Sequence, residues 1–114
     1  QLNKFFYKRI GKKHKWIDRL AWSEEKWISY VSSENIETYV LKYKDDLVGF
    51  FELILHQENK EIEIAYFGIL EEYQNKKLGS FLLSEAIRES LHIKSVEKQT
   101  GSRIRRFSSF LISA

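Results

Sequence analysis

The stretch Glu61–Ile87, EIEIAYFGILEEYQNKKLGSFLLSEAI, constrains the fold more than any other part of the chain. Residues 61–70 are rich in β-branched and aromatic side chains and read as a strand. An acidic turn at Glu71-Glu72 follows, and from residue 74 the apolar period becomes helical. Leu78, Phe81, Leu82, Ala86, Ile87 and Leu91 fall on one stripe, which predicts a helix over 74–91 with those side chains buried. Its opening carries Gln74-Asn75-Lys76-Lys77-Leu78-Gly79-Ser80. A helix N-terminus presents unpaired N–H groups and about half a positive charge, which makes it a seat for phosphate. A strand running straight into that seat suits a phosphate-bearing ligand held at one end by the strand and at the other by the helix.

The rest of the composition bounds the answer. A chain of 114 residues, 15% of them aromatic, is one domain with ample material for a core. The net charge of +3 conceals an asymmetry: residues 1–19 hold seven Lys/Arg and one acid, residues 92–114 five and one, and residues 20–91 seven and fourteen. Basic ends of this kind are ordinarily solvated. A nucleic-acid surface of Lys12, Lys13, Lys15, Arg103, Arg105 and Arg106 ranks last, because no reader motif accompanies it. Without cysteine there is no disulfide framework or thiolate metal site, and His14, His56 and His92 lack ligand spacing, so no metal is expected. No apolar run approaches the roughly 20 residues of a membrane span, and no secretory signal is present. A cytoplasmic protein without membrane contact is the expectation. The chain starts at Gln1 and contains no Met, so its natural N-terminus is expected upstream.

Along the chain, Phe5–Ile10 is an aromatic run stopped by Gly11 and reads as the end of a strand. Lys15–Leu20 suits a helical turn or two. Ser23 is an N-cap with Glu24 and Glu25 in the first turn, and Trp27, Ile28 and Val31 recur at helical spacing, predicting a helix over 24–32. Residues 37–43 and 47–55 are two further strands, the second near-continuously apolar and therefore central. The order is helix, helix, three-stranded antiparallel meander and long helix. That is an α+β fold, a mixed α/β layer with the long helix packed back on the sheet. Residues 1–91 form this domain, and 92–114 form a basic tail in which 95–106 is polar and 107–112 fits a short strand or a frayed helix.

At Gln74, Lys77 and Gly79 the sequence resembles the GNAT superfamily of N-acetyltransferases. That family's acyl-CoA signature is a strand followed by Gln/Arg-x-x-Gly-x-Gly/Ala at the start of a helix. The resemblance covers roughly residues 5–91 and is most specific over 61–87. It implies acetyl-CoA as co-substrate, with main-chain groups of Phe67, Gly68 and Ile69 bonding the pantetheine arm. Gln74, Asn75, Lys76, Lys77, Leu78, Gly79 and Ser80 would hold the pyrophosphate. Gly68 fits a bulge where the strand turns outward. Lys77 departs from the pattern by standing where the family has its first Gly, and its ammonium is placed to meet phosphate as a point charge.

The resemblance also implies transfer of an acetyl group to a small-molecule or peptide amine by direct attack. Glu63, eleven residues before Gln74, would be the general base that frees the amine of its proton. Glu52 on the neighbouring strand is the alternative carboxylate. Trp16 and Trp22 lie where the family walls its acceptor cleft, while Trp27 reads as core. The family continues past the long helix with further strands and a helix, and with a Tyr that protonates the leaving thiolate. Residues 92–114 are too few for these, and the last Tyr is Tyr73. A shortened chain, or a variant completed by a second copy, is therefore expected. The edge near 61–70 is left open to a homodimer. The alternative function is a non-catalytic acyl-CoA-binding or interaction module.

Overall fold

The aromatic run near the N-terminus is helical. In this computed structural model, which describes residues 2–100 and 109–113 without the side chains of Asn75, 96–100 and 109–110, helix α1 spans Leu2–His14. Asn3, Phe6, Tyr7, Ile10 and Gly11 are its buried residues, a spacing of three and four that only a helix brings to one face. The strand expected over 5–10 is overturned for that reason. Gly11 does not stop the helix. Trp16 packs on it, and a Cβ there would lie 2.9 Å from the Trp16 side chain. The helix closes four residues later with Lys15 left-handed at φ 58° and Trp16 N–H donating to the Gly11 carbonyl at 2.9 Å, a Schellman end.

Residues 15–22 form a turn-rich connection in place of the expected helical turns. Helix α2, Glu24–Val31, starts as its capping residues dictate: Ser23 Oγ accepts the Lys26 N–H at 3.1 Å and two acids occupy the first turn. Trp27 is buried, whereas Ile28 is 56% exposed, so α2 rests on a narrow stripe.

Strands β1 (Ile36–Tyr43), β2 (Asp46–His56) and β3 (Glu61–Ile69) form the antiparallel meander. A fourth strand, β4 (Ser109–Ser113), lies parallel to β1 in the register Thr38↔Ser109, giving the sheet order β3-β2-β1-β4. The sheet is thus four-stranded and mixed, β2 is interior as its apolar run implies, and β3 is an edge. The stretch 107–112 resolves as strand from residue 109, while 101–108 lie outside the described residues.

Helix α3 begins at Leu78, not at residue 74, and continues past residue 91 to Thr100. Residues Glu71–Lys76 form a 3-10 segment between it and β3. On one face of the sheet Tyr39, Leu41, Phe51, Leu53, Leu55 and Ile69 meet Leu78, Leu82, Ala86 and Ile93 of α3. On the other face Val40 and Phe50 meet Phe6 and Ile10 of α1. Ile87 and Leu91, expected in the buried stripe, are 48% and 63% exposed. The helix touches the sheet along the 78–82–86–93 line, and both residues lie on its far side from there. Each buried Leu or Phe contributes about 1.5–3 kcal/mol by leaving water, so these two layers hold the sheet between them.

Candidate active site

The edge strand and the start of α3 meet at one corner. Leu70 N–H donates to the Val48 carbonyl at 2.8 Å. The antiparallel alternation then points the Gly68 main chain at β2 and the Phe67 and Ile69 main chains outward, where no described strand pairs with β3. The Ile69 carbonyl is met from outside by the Gln74 side-chain amide at 3.3 Å. Gln74 is exposed and its partner is a single carbonyl, so it spans the gap between strand edge and helix start.

After the 3-10 segment the chain reverses through Lys77, whose φ of 59° and ψ of 19° are left-handed. This is the position where the signature has Gly, and the backbone keeps the conformation that favours Gly even though the residue is Lys. Leu78, 5% exposed, anchors the helix start in the core. Next to it Gly79 faces open space: apart from its own helix turn, a Cβ there meets no atom of the described residues within 4 Å. No acid occupies the first turn of α3, and Lys76, Lys77 and Ser80 are exposed beside it. Of the two acids in the preceding 3-10 segment, Glu71 is ion-paired with Lys13 at 3.6 Å and Glu72 is exposed six residues before the helix start. The corner therefore offers free amides, the positive end of the helix and two ammonium groups.

Gly68 has a different reason from the one read in the sequence. It is buried, and a Cβ on it would lie 2.6 Å from Ile10 Cγ2, so it lets α1 approach the sheet. The bulge of β3 falls at Ala65 instead, where the pairing shifts between Glu52↔Tyr66 and Leu53↔Ile64.

The carboxylates separate on the α1–α2 face. Glu63 is exposed at the far end of β3, with Oε1 2.9 Å from His56 Nε2. Along the strand it is about 13 Å from Phe67. Glu52 is fully buried and saturated: Arg19 approaches Oε1 at 2.9 Å and Oε2 at 3.1 Å, Asn3 Nδ2 donates to Oε2 at 2.8 Å, and Tyr30 Oη to Oε1 at 2.8 Å. Both of its oxygens thus accept two bonds from these side chains, which fixes it between the α1–α2 connection and the sheet. Beside it Asp18 Oδ1 accepts Tyr7 Oη at 2.9 Å and Tyr66 Oη at 2.5 Å. The Tyr66 hydroxyl holds the Asp18 carboxyl below the usual carboxylate range, while burial pushes Tyr66 well above the ordinary phenol. Tyr73 is likewise raised, chiefly by its bond to Asp46 at 2.7 Å.

Trp27 is core, and Trp16 and Trp22 are half-buried around the 15–22 connection. Sequence reading singled out those indoles but missed Asp18 and Arg19, which lie between them. The available signal was an Asp-Arg pair inside an aromatic-dense connection. Its partners on the sheet, Glu52 and Tyr66, lie 33 and 48 residues away.

No curated protein and no solved structure matches this chain. The model of the acetyltransferase (GNAT) family matches residues 3–100, from α1 to the end of α3 and across the whole corner described above. With most of its length covered, the chain belongs to the acetyltransferase (GNAT) family.

Proposed function

We propose that the chain is an acetyl-CoA-dependent N-acetyltransferase acting on an amine by direct attack. The observation that supports this best is Gly79. Gly79 is the second residue of α3, and Gly there gives up backbone order that Ala would supply, at a cost below the roughly 1 kcal/mol of a helix interior. Among the described residues nothing outside its own helix turn needs its missing Cβ. A ligand approaching the backbone closely does need it. Acetyl-CoA supplies an acetyl thioester; the remaining tasks fall to the chain. Main-chain groups of Phe67 and Ile69 bond the pantetheine along the β3 edge, with Gln74 withdrawing from the Ile69 carbonyl to make room; Gly68, expected to join them, is turned to β2. Residues 74–80 hold the pyrophosphate through amides and the Lys76 and Lys77 ammonium groups. Glu63, steadied by His56, takes the proton of the acceptor nitrogen, directly or through water.

Isothermal titration with acetyl-CoA and its 3′-dephosphorylated analogue tests the reading. Binding that weakens as salt rises is expected. No heat from either ligand at millimolar concentration refutes it. Lys77 favours a second reading, a binding module without turnover, since its side chain stands where close approach is wanted. Tight binding without acetylation of any amine selects that reading. The open β3 edge also suits a homodimer, and pantetheine and a second copy would compete for it. Sedimentation should then show acetyl-CoA dissociating dimers. No helix among the described residues is long and apolar enough to cross a membrane, and the reaction proposed is one of the cytoplasm.

A further inference from the structure

Three charged groups are packed where the α1–α2 connection crosses the sheet: Asp18, Arg19 and Glu52. Two of them are spent on each other. The Arg19 guanidinium is 5% exposed, bonded to Glu52 and to Tyr30 Oη at 2.7 Å, and enclosed by the rings of Tyr30 and Tyr66 at 4.3 Å and Trp22 at 4.8 Å. Glu52 has no exposure at all. The cluster's remaining negative charge therefore sits on Asp18, at the surface.

Asp18 is held as a fixed counter-ion. Two tyrosine hydroxyls converge on Oδ1, and a carboxylate with about four lone-pair sites keeps accepting capacity on Oδ2. Tyr66, which supplies one hydroxyl, directly precedes Phe67 on β3, so the carboxylate is one tyrosine side chain away from the strand that edges the corner. The rim around it is aromatic and aliphatic. Trp16 lies 4.7 Å from the Tyr66 ring, and Ile17 and Leu20 on either side of the pair are 73% and 54% exposed. A carboxylate amid indole and phenol rings is a surface for an alkylammonium ion, through charge, cation–π attraction and contact with the methylenes.

We propose that Asp18 is the acceptor-anchoring residue and that the acceptor carries two amino groups on an alkyl chain. The inference rests on the acetyl-CoA reading for its second nitrogen, though not for the first. An amine paired with an ionised carboxylate is favoured in its protonated form, which cannot attack, so the anchored nitrogen is not the one acetylated. The other nitrogen reaches the thioester. There the N–C bond forms as the C–S bond breaks, the nitrogen gives its proton to Glu63, and the thiolate is protonated from solvent. A monoamine occupies the anchor and goes unmodified.

The test uses 1,4-diaminobutane, butylamine and 1,4-butanediol as probes. Binding is read from tryptophan fluorescence and from the indole N–H resonances of Trp16 and Trp22. Both amines should bind and the diol should not, with butylamine a competitive inhibitor that is not itself acetylated. Asp18→Asn keeps an acceptor for both tyrosines and should weaken both amines about tenfold, raising KM for the diamine with kcat nearly unchanged. Asp18→Glu should restore part of the loss, and far-UV circular dichroism confirms that each variant is folded. Equal affinity in D18N and the parent, diol binding as tight as diamine, or no amine binding overturns the proposal. Calorimetry with acetyl-CoA on the same samples separates the two claims. Cofactor binding without amine binding refutes the anchor alone, and amine binding without cofactor binding refutes the acetyltransferase reading while the cation site stands.

Discussion

Replacing Lys77 by Gly should stabilise the protein, although it removes a charged side chain and adds a flexible residue. Lys77 is held at φ 59°, ψ 19° between the 3-10 segment and α3. A left-handed residue with a Cβ costs about 1–2 kcal/mol, and Gly escapes that cost. Against it stands the larger freedom of Gly in the unfolded chain, about 0.4–1 kcal/mol. The side chain itself is exposed and no ion pair holds it among the described residues, so its loss subtracts almost nothing. The net is a gain of about 0.5–1 kcal/mol, a rise in Tm of about 2–5 °C for a domain of this size.

Urea and thermal denaturation followed by circular dichroism read that change, with Lys77→Ala as the control. Ala removes the ammonium yet keeps the Cβ, so K77A should lie within about 0.5 kcal/mol of the parent. If K77G proves less stable than K77A, the left-handed strain is not what limits this turn and the reasoning fails. Acetyl-CoA titration of the same pair separates the two roles of the side chain. A salt-dependent loss common to both identifies a phosphate contact, and a gain common to both identifies an obstruction.

The other predictions test the packing and the charges. Gly68→Ala should cost about 1–3 kcal/mol, because its Cβ would press on Ile10 Cγ2 at 2.6 Å, and Ile10→Val, which leaves that methyl in place, should restore little of it while Ile10→Ala restores more; urea midpoints measure both. Arg19→Ala should cost about 3–5 kcal/mol by leaving the Glu52 carboxylate buried without its cation, and the double variant Arg19→Met with Glu52→Leu should recover much of that loss. Gly79→Ala should raise the stability of the free protein by about 0.5–1 kcal/mol and weaken acetyl-CoA binding, so that melting curves and calorimetry move in opposite directions. Asp18 has a folded-state pKa below its unfolded value, so its contribution to stability is fully present above the ordinary Asp pKa of about 4 and fades as pH falls through the lower folded value. The acid limb of the stability curve should flatten in Asp18→Asn.

What the sequence made legible is what its local chemistry encodes. Ser23 with two acids behind it marks the start of α2, the apolar run 47–55 marks an interior strand, and the strand–turn–helix unit over 61–87 is read directly from a change of period. The N-terminal helix was hidden because two of its five buried residues are Asn3 and Gly11, which an apolar count omits. Without them FFYKRI looks like strand. Gly68 suggested a bulge because a lone Gly in a strand usually marks one, yet its partner, Ile10, comes from a helix 58 positions away. The Arg19–Glu52 pair, the Asp18–Tyr66 bond and the parallel pairing of β4 with β1 join residues 33 or more positions apart. No local pattern announces such pairs; they exist only once the layers have closed.

Two residues of the signature bear unequally on whether the corner still holds a ligand. The left-handed turn at Lys77 is fixed by the protein alone, since Leu78 is buried against the sheet and the 3-10 segment must reverse to deliver it there. That turn would persist with or without a ligand, and its strain is evidence about folding only. Gly79 is different in kind. Its φ needs no Gly and its missing Cβ meets no neighbouring group among the described residues, so Ala should be tolerated in the free chain. That space leaves room for an occupant beyond the described residues. The helix end beside it bears no acid and two lysines, so the occupant it suits is an anion.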